Sequence, residues 1–375
     1  MAAEGPPPPR GPLAGLRVLD IATVVAGPGA ARYLADYGAD VLKIERPGAG
    51  DATRTMGLAD PRDGTALYWK VVGRNKRCAT LDLKSEAGHE ALLRLVDDAH
   101  VLVENFRPGT LERLGLGPDV LLARNPKLVI LRVTGFGQDG PYAQRAGFAT
   151  LAEAMSGFAG INGEADGPPL LPPIALTDEI TAVVGAFAVM VALWSGVGQV
   201  VDVSLVESLL QCMGPLPAAF GLTGFLQQRM GSGLPYSVPR GTWRCADGQW
   251  VAISASAESV GRRVMALIGL GERDDLASFD GRIAARDEID AAVSEFCAAR
   301  SLDEVVKAFQ DAEAAAAPVY DMADVFADPH LQARGSLVEA DGVPMQGLVA
   351  RLSATPGAVR WAGRDQAADD PPSWL

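Results

Sequence analysis

Asp178 stands in the segment Pro172-Pro173-Ile174-Ala175-Leu176-Thr177-Asp178-Glu179, at the head of the most apolar helical stretch of the chain. A carboxylate in that place has two readings. One is a helix cap or first-turn acid, which accepts backbone N–H bonds and meets the positive end of the helix dipole. The other is a nucleophile, because positioned carboxylates form covalent intermediates. Helix-end donors would then hold the carboxylate ionised and aimed, and neighbouring N–H groups would stabilise an oxyanion. Spacing alone does not decide between the two. Histidine and metal chemistry are poorly supplied: His89, His100 and His330 are scattered, with none at the i, i+4 spacing of a helical metal site. Cys78, Cys212, Cys245 and Cys297 form no CxxC pair, so neither zinc nor a disulfide framework is indicated. Free thiols suit a reducing compartment.

Several segments are candidates for holding an anion. Asn105-Phe106-Arg107-Pro108-Gly109 follows a strand and precedes Arg113. It is either a loop with a surface arginine or a nucleotide site, with Phe106 against a base and Arg113 on phosphate. Arg46 and Arg54 flank Gly48-Ala49-Gly50-Asp51 with the same ambiguity. Lys70, Arg74, Lys76 and Arg77 form a local basic cluster. The formal net charge of −13 argues against nucleic acid or an anionic membrane as the main partner, but a small anion needs only such a cluster. Gly27-Pro28-Gly29 after a strand invites a dinucleotide-binding reading. Arg32 stands where the third glycine belongs, so a tight strand-to-helix turn is the better account. Gly231-Ser232-Gly233 is either a mobile lid or a linker, and the linker is the default.

The elements that must position these residues alternate. Strands are expected at Leu16–Ala22, Asp40–Glu45, Cys78–Lys84, His100–Phe106 and Lys127–Thr134, with helices between them and Ser85 as an N-cap. That order indicates βαβ units and a parallel sheet. From about Arg229 the pattern changes to a hairpin (Thr242–Cys245 with Trp250–Ala255) and helices at Ser259–Ile268, Arg286–Arg300 and Leu302–Ala314. A short strand is expected at Pro318–Asp321 and a turn at Gly342-Val343-Pro344. The 375 residues, 48% hydrophobic and 21% charged, are ample for buried cores and leave little room for long disorder. The apolar run from Ala182 to Trp194 is too short for a bilayer and reads as a buried core helix. The start, MAAEGPPPPRGP, has no apolar segment and so is no signal peptide; its proline run reads as an extended, disordered tail, and a cytoplasmic location is expected.

Taken together the motifs resemble the family III CoA-transferases, the group of formyl-CoA transferase, carnitine CoA-transferase and the 2-methylacyl-CoA racemases. The resemblance is carried in order by segments from Leu13-Ala14-Gly15-Leu16-Arg17-Val18-Leu19-Asp20 through Ala26-Gly27-Pro28, Gly38-Ala39-Asp40-Val41-Leu42-Lys43-Ile44-Glu45 and Gly50-Asp51-Ala52-Thr53-Arg54. It continues through Asn75-Lys76-Arg77, Leu81-Asp82-Leu83-Lys84, Val103-Glu104-Asn105-Phe106, Leu176-Thr177-Asp178, Gly198–Ser204 and Leu352–Gly357. It implies a Rossmann-like large α/β domain built from both chain ends, a smaller α+β domain, and an interlocked homodimer. The expected division is a tail at 1–12, a large CoA-binding domain at 13–227, a small domain at 228–325, and a segment at 326–375 that returns to the large domain.

The resemblance also implies a catalytic Asp178, coenzyme A contacts at Arg46, Leu81, Lys84, Asn105, Phe106 and Arg113, and a covering loop with Gly231 and Gly233. An acyl-CoA and a carboxylic acid would be the substrates, the CoA thioester acting as substrate with no permanently bound cofactor and no metal. Gly147–Gly157 resembles the subgroup acting on small dicarboxylates such as succinate or mesaconate. The racemase branch carries a histidine where this chain has Phe148 in Ala146-Gly147-Phe148-Ala149. Removing and returning an α-proton needs two acid/base groups, and phenylalanine is neither. Further departures are Val25 in place of a glutamine before Ala-Gly-Pro, a short Leu193–Gly198 segment, and a different chain end. Racemisation, or CoA binding without turnover, are the alternatives to transfer.

Overall fold

The computed structural model describes residues 11–374; the expected proline-rich tail lies, for residues 1–10, outside the described residues. Six strands form one sheet: β1 (Arg17–Asp20), β2 (Asp40–Glu45), β3 (Arg77–Thr80), β4 (Val101–Glu104), β5 (Val129–Thr134) and β6 (Gln199–Ser204). They lie in the order β3-β2-β1-β4-β5-β6, and every adjacent pair is parallel. Side chains alternate across a pleated strand, so each strand feeds two cores. Val18, Val101, Val103, Val129 and Leu131 join the core under the Ala26–Asp36 and Leu176–Ser195 helices. Leu19, Leu102 and Ile130 join the core under the Glu86–Asp98 helix. Covering both faces is what an all-parallel sheet requires.

β6 has no counterpart in the expected elements, and β3 is shorter than expected. The chain leaves β3 at Leu81, and an Asp82 turn takes over: Lys84 N–H donates to Asp82 Oδ1 (3.0 Å) and Ser85 N–H to its carbonyl (3.0 Å). Ser85 then caps the helix as expected, accepting from Gly88 N–H at 3.0 Å. β3 is an edge strand, and unpaired edges invite association. Here the chain end covers it. Asp369 N–H donates to Cys78 O (2.8 Å), while Cys78 and Thr80 N–H donate to the Asp369 and Asp370 carboxylates (3.0 and 2.9 Å).

The Leu176–Ser195 helix departs from expectation. It has 20 residues, because the helix starts at Leu176, six residues before the apolar run, and by length and composition it is long and apolar enough to cross a membrane. One face packs against the Ala26–Asp36 helix and the sheet, where Ala182, Gly185 and Val189 are buried. The other face, with Val183, Phe187, Val191 and Trp194, is exposed, Trp194 to 93%. It is therefore buried on one side only.

Contacts divide the chain into two units, residues 11–158, 172–214 and 330–374 in the first and 159–171 with 215–329 in the second. The second unit thus begins earlier than 228, takes in 159–171, and ends at Pro329. Hydrogen bonds explain the addition of 159–171: Arg229 Nη2 donates to Gly167 O (2.9 Å) and Gly231 N–H to Gly163 O (2.9 Å). At the far end, Asp321 caps a further helix, Met322–Ala327, in a reciprocal capping box with Asp324. The unit holds an antiparallel sheet of β7 (Arg240–Arg244), β8 (Trp250–Ser254) and β9 (Ala315–Pro318) beside helices at Glu258–Leu267, Arg286–Ala298 and Leu302–Asp311. β9 lies before the expected position: Ala315–Pro318 pairs with β8, and Val319 N–H adds one last bond to Trp250 O at 2.9 Å.

In the first unit, β10 (Leu337–Ala340) and β11 (Val343–Gln346) pair around Asp341-Gly342. Both turn residues have positive φ, 49° and 70°, as a two-residue primed turn demands. The turn is therefore Asp-Gly, and Val343 and Pro344 belong to the strand.

Arg74 and Asp36 form a bidentate pair (3.1 and 2.6 Å) that is 1% and 2% exposed. Arg74 also donates to Gln346 O, tying the returning chain end to the helix layer. Arg74→Met leaves Asp36 buried beside a weaker donor, Asn75, and should lower the unfolding free energy by about 3–5 kcal/mol in urea titration. A loss under about 1 kcal/mol would mean that the pair stabilises no more than a surface bridge does.

Candidate active site

The carboxyl ends of β1 to β4 surround a cavity of about 360 Å³. A doubly wound sheet opens a crevice where the strand order reverses, here between β1 and β4. Ile21, Thr23 and Val24 line it after β1, Arg46 and Asp51 after β2, Leu81 and Lys84 after β3, and Phe106 and Thr110 after β4. Four of the six expected coenzyme contacts, Arg46, Leu81, Lys84 and Phe106, are thus brought together. Arg113 stands beside them, donating from Nη2 to Thr110 Oγ1 at 2.9 Å. Its one-turn helix is anchored by Arg132, which holds Glu104 (2.6 Å) and the neighbouring Glu112 (2.8 Å). Asn105 is different. It clasps the loop after β1, with Oδ1 accepting from Thr23 N–H (2.7 Å) and Nδ2 donating to Thr23 O (2.6 Å).

The expected basic cluster is not an anion site. Lys70 pairs with Asp63, Arg74 with Asp36, Lys76 with Asp20 and Arg77 with Asp40. Arg54 is likewise committed, to Glu45 at 2.6 Å, with its guanidinium over the Trp69 ring. Each of these cations already faces a carboxylate. Arg46 and Lys84 are exposed and have no ion pair among the described residues. Arg113, also exposed, has none either.

Beneath the cavity lies a buried charge network. Asp20, at the end of β1, faces Lys43 Nζ (3.6 Å) and Lys76 Nζ (2.8 Å). Lys43 also meets Asp51 (3.2 Å) and donates to Ala22 O, and Lys76 donates to Pro28 O (2.6 Å). Burial pulls both ammonium groups down; Asp20 and Asp51 more than restore Lys43, whereas Lys76 stays below the ordinary lysine range. Above the network Val24 has φ of 67°. For a β-branched residue this left-handed conformation is an outlier costing roughly 1–3 kcal/mol.

The glycines that invited a dinucleotide reading serve close packing. A Cβ on Gly27 would lie 2.6 Å from Ala22 Cβ, and one on Gly29 2.8 Å from Ala182 Cβ. They let the Ala26–Asp36 helix start against β1 and lie on the helix that carries Asp178.

Asp178 is the third residue of its helix, after the cap position Ala175, and its carboxylate accepts no hydrogen bond among the described residues. The helix-end donors expected to hold it are not bonded to it. Burial, with the Glu153 and Glu179 carboxylates nearby, pushes it up to about 6. Glu179 is held by Arg32 (2.9 Å) and Tyr33 (3.1 Å). Glu153 is only 3% exposed and accepts from the hydroxyl of Thr177, the residue before Asp178, at 3.0 Å. Sequence reasoning missed Glu153; its one signal is an acid inside the apolar Ala149–Met155 helix. A half-buried carboxylate with free lone pairs and raised basicity is chemically an available nucleophile or base. Phe148, where a racemase would carry histidine, is 67% exposed.

Gly231 and Gly233 lie in the second unit. Gly231 has φ of 59° and faces the Glu164 carboxylate, and Gly233 N–H donates to Met230 O at 3.0 Å.

The sequence profile of CoA-transferase family III matches residues 13–365. The chain belongs to CoA-transferase family III. It is therefore a CoA-transferase, an enzyme of acyl-CoA metabolism, with the α/β parallel-sheet fold of that group. It is 39% identical over 364 residues to the succinyl-CoA–L-malate CoA-transferase alpha subunit of Chloroflexus aurantiacus, covering 93% of this chain and 84% of that one. It is also 39% identical to the succinyl-CoA–D-citramalate CoA-transferase of the same organism, covering 95% and 91%. Among solved structures, a CAIB/BAIF family protein from Brucella suis superposes with a TM-score of 0.85 at 32% identity, covering 96% and 97%.

The strained ionisation of Asp178 has a thermodynamic consequence. Its folded value of about 6 lies above the ordinary 3.8, so the folded state holds the proton more tightly. Stability is then lost as pH rises from about 4 to about 6, and the full deficit persists above that range. Asp178→Asn removes this titration and should melt higher than the wild-type enzyme at pH 7.5, with the difference shrinking toward pH 4 in calorimetry. Glu153→Gln should bring the same window to lower pH. An Asn variant that melts lower at pH 7.5 would instead identify Asp178 as a stabilising first-turn acid.

Proposed function

We propose that the enzyme moves CoA from succinyl-CoA, or a similar small dicarboxylyl-CoA, to a second small carboxylic acid through covalent intermediates at Asp178. The observation that carries this reading is the Asp178 carboxylate, unbonded and pushed up to about 6, at the head of the helix packed on the one that starts beside the cavity. A pKa near neutrality keeps it ionised in use yet more basic than an ordinary carboxylate. An Asp178 oxygen attacks the thioester carbonyl, the C–S bond breaks, and CoA thiolate leaves a mixed anhydride. The thiolate then attacks the Asp178 acyl carbon, releasing the first acid and leaving an aspartyl-CoA thioester. The acceptor carboxylate runs the two steps in reverse, so no proton, metal or redox partner is consumed.

In this reading Arg46, Lys84 and Arg113 meet the coenzyme phosphates, because their charges are not already matched by carboxylates, and charge-assisted bonds to phosphate are the strong ones. Phe106 and Leu81 supply apolar surface for the adenine. Resemblance adds Asn105 to this set, and resemblance alone gives the Gly231–Gly233 loop a covering role. The two relatives named above both take succinyl-CoA, which supports a dicarboxylyl donor. Phe148 speaks against racemisation, since no proton can pass through it.

A homodimer is part of the proposal. The face carrying Val183, Phe187, Val191 and Trp194 is a contiguous apolar stripe of the kind that marks an interface, and a second copy is the partner that the family resemblance implies.

Enzyme mixed with succinyl-CoA and no acceptor should accumulate the adduct, and hydroxylamine should convert one side chain to a hydroxamate on the peptide holding Asp178. Asp178→Asn should give no adduct and lose turnover by several orders of magnitude, the scale seen when a nucleophile is removed. A folded Asn variant keeping more than roughly a tenth of the activity, under about 1.4 kcal/mol on the barrier, rules the mechanism out. Sedimentation at nanomolar protein should show a dimer whose dissociation coincides with unfolding, as for an obligate pair. A compact, active monomer there overturns the dimer.

A further inference from the structure

The loop after β1 carries an unusual load. Thr23 and Val24 form one wall of the cavity, and two residues later the Ala26–Asp36 helix begins. That helix holds Glu179 through Arg32 and Tyr33 and meets Ala182 at Gly29, so it sets the position of the helix carrying Asp178. The loop is thus the covalent link between the cavity and the helix layer. It contains the strained residue, Val24, with φ of 67°.

A conformation so unfavourable for valine persists only when the surroundings over-determine it. Two side chains from outside the loop do this. Asn105, at the end of β4, bonds both the N–H and the carbonyl of Thr23, and also approaches the Thr23 hydroxyl at 3.4 Å. Asp51, after β2, accepts from Val24 N–H at 3.4 Å and from Thr53 N–H and Oγ1 at 2.9 and 2.7 Å. Asn105 Oδ1 and Nδ2 both bond Thr23, and Asn105 is not among the cavity-lining residues.

We propose that Asn105 is a positioning residue that acts by locking the Thr23–Val24 turn in its strained form, rather than a ligand of the coenzyme. The inference rests on the reading that the cavity takes coenzyme A, and it replaces the role that the resemblance assigns to this side chain. Asp51 clasps the next residue, and its own carboxylate is fixed by Lys43 and the buried network below. The turn therefore inherits its rigidity from the charges under the sheet end. The shape of the cavity wall and the start of the helix are set together.

A glycine at position 24 provides the test, because glycine adopts positive φ without strain and needs no clasp. Affinity for CoA is measured by calorimetry on the full-length enzyme, with KM for succinyl-CoA and kcat beside it. Asn105→Ala should weaken CoA binding about tenfold or more in the native background, but less than about threefold in the Val24→Gly background. Asn105→Asp, which keeps the acceptor for Thr23 N–H and loses the donor to its carbonyl, should fall between and be relieved in the same way. It serves as the readout if the alanine variant does not fold.

Arg46→Ala is the control for the underlying reading. Its loss of CoA affinity should be the same in both backgrounds, since its Nε donates to Gly50 O and not to the Thr23–Val24 turn. A loss from Asn105→Ala that is equally large in both backgrounds overturns the proposal and makes Asn105 a direct ligand. Unchanged CoA affinity in Arg46→Ala overturns the cavity assignment itself, and the positioning role with it.

Discussion

Asp20 is the constraint on which the rest of the first unit depends. It is a fully buried carboxylate at the end of the central strand β1, and two buried ammonium groups converge on it. Lys43 comes from the neighbouring strand β2, and Lys76 from the approach to β3. Lys76 also grips Pro28 O in the first turn of the helix, and Lys43 extends the network to Asp51. Three strands and a helix start are thereby fixed at the edge of the sheet where the cavity opens. Buried ion pairs seldom add net stability over apolar packing, but removing one partner is strongly destabilising. Such a network specifies one arrangement, and here that arrangement is the cavity floor.

Rigidity at that floor reaches Asp178 through packing. Gly27 and Gly29 permit the close approach of one helix to β1 and to the Asp178 helix, and Arg32 and Tyr33 hold the adjacent Glu179. Among the described residues Asp178 is then left beside like charges with no hydrogen bond, an arrangement unfavourable for folding and suited to the proposed nucleophile. Sites that need reactive groups are where proteins give up stability.

The acidic balance of the chain does not conflict with an anionic coenzyme. Near the sheet end most basic side chains face their own aspartate or glutamate, which removes them from consideration as ligands. In the proposed reading, phosphate meets the small set of exposed cations, Arg46, Lys84 and Arg113, that have no ion pair among the described residues. Net charge is a property of the whole surface; affinity for a small ligand is set within a few ångströms.

Much of this was readable from sequence because it is local. Apolar alternation located five of the six parallel strands, Ser85 declared a cap, and ordered motifs over most of the chain placed it in its family. Expectations failed where a segment's state depends on distant partners. β6 is a strand because it pairs with β5, and 159–171 joins the second unit through Arg229 and Gly231. The end of β3 at Thr80 is instead local, set by an Asp82 turn that alternation alone does not show. The Asp341-Gly342 turn carried its own signal, since both residues tolerate positive φ. The basic cluster looked like an anion site because spacing shows which cations are close in the chain, not which carboxylates meet them in space. Sequence by itself determined the residue types available for chemistry: an aspartate heading an apolar helix, and arginines and a lysine after parallel strands. Only the tertiary structure decided which cations remain unpaired, that Asn105 turns to Thr23, and that Glu153 sits beside Asp178. The physical reason is that hydrogen bonding, burial and like-charge proximity arise between segments far apart in the chain, and none of them has a local sequence signature.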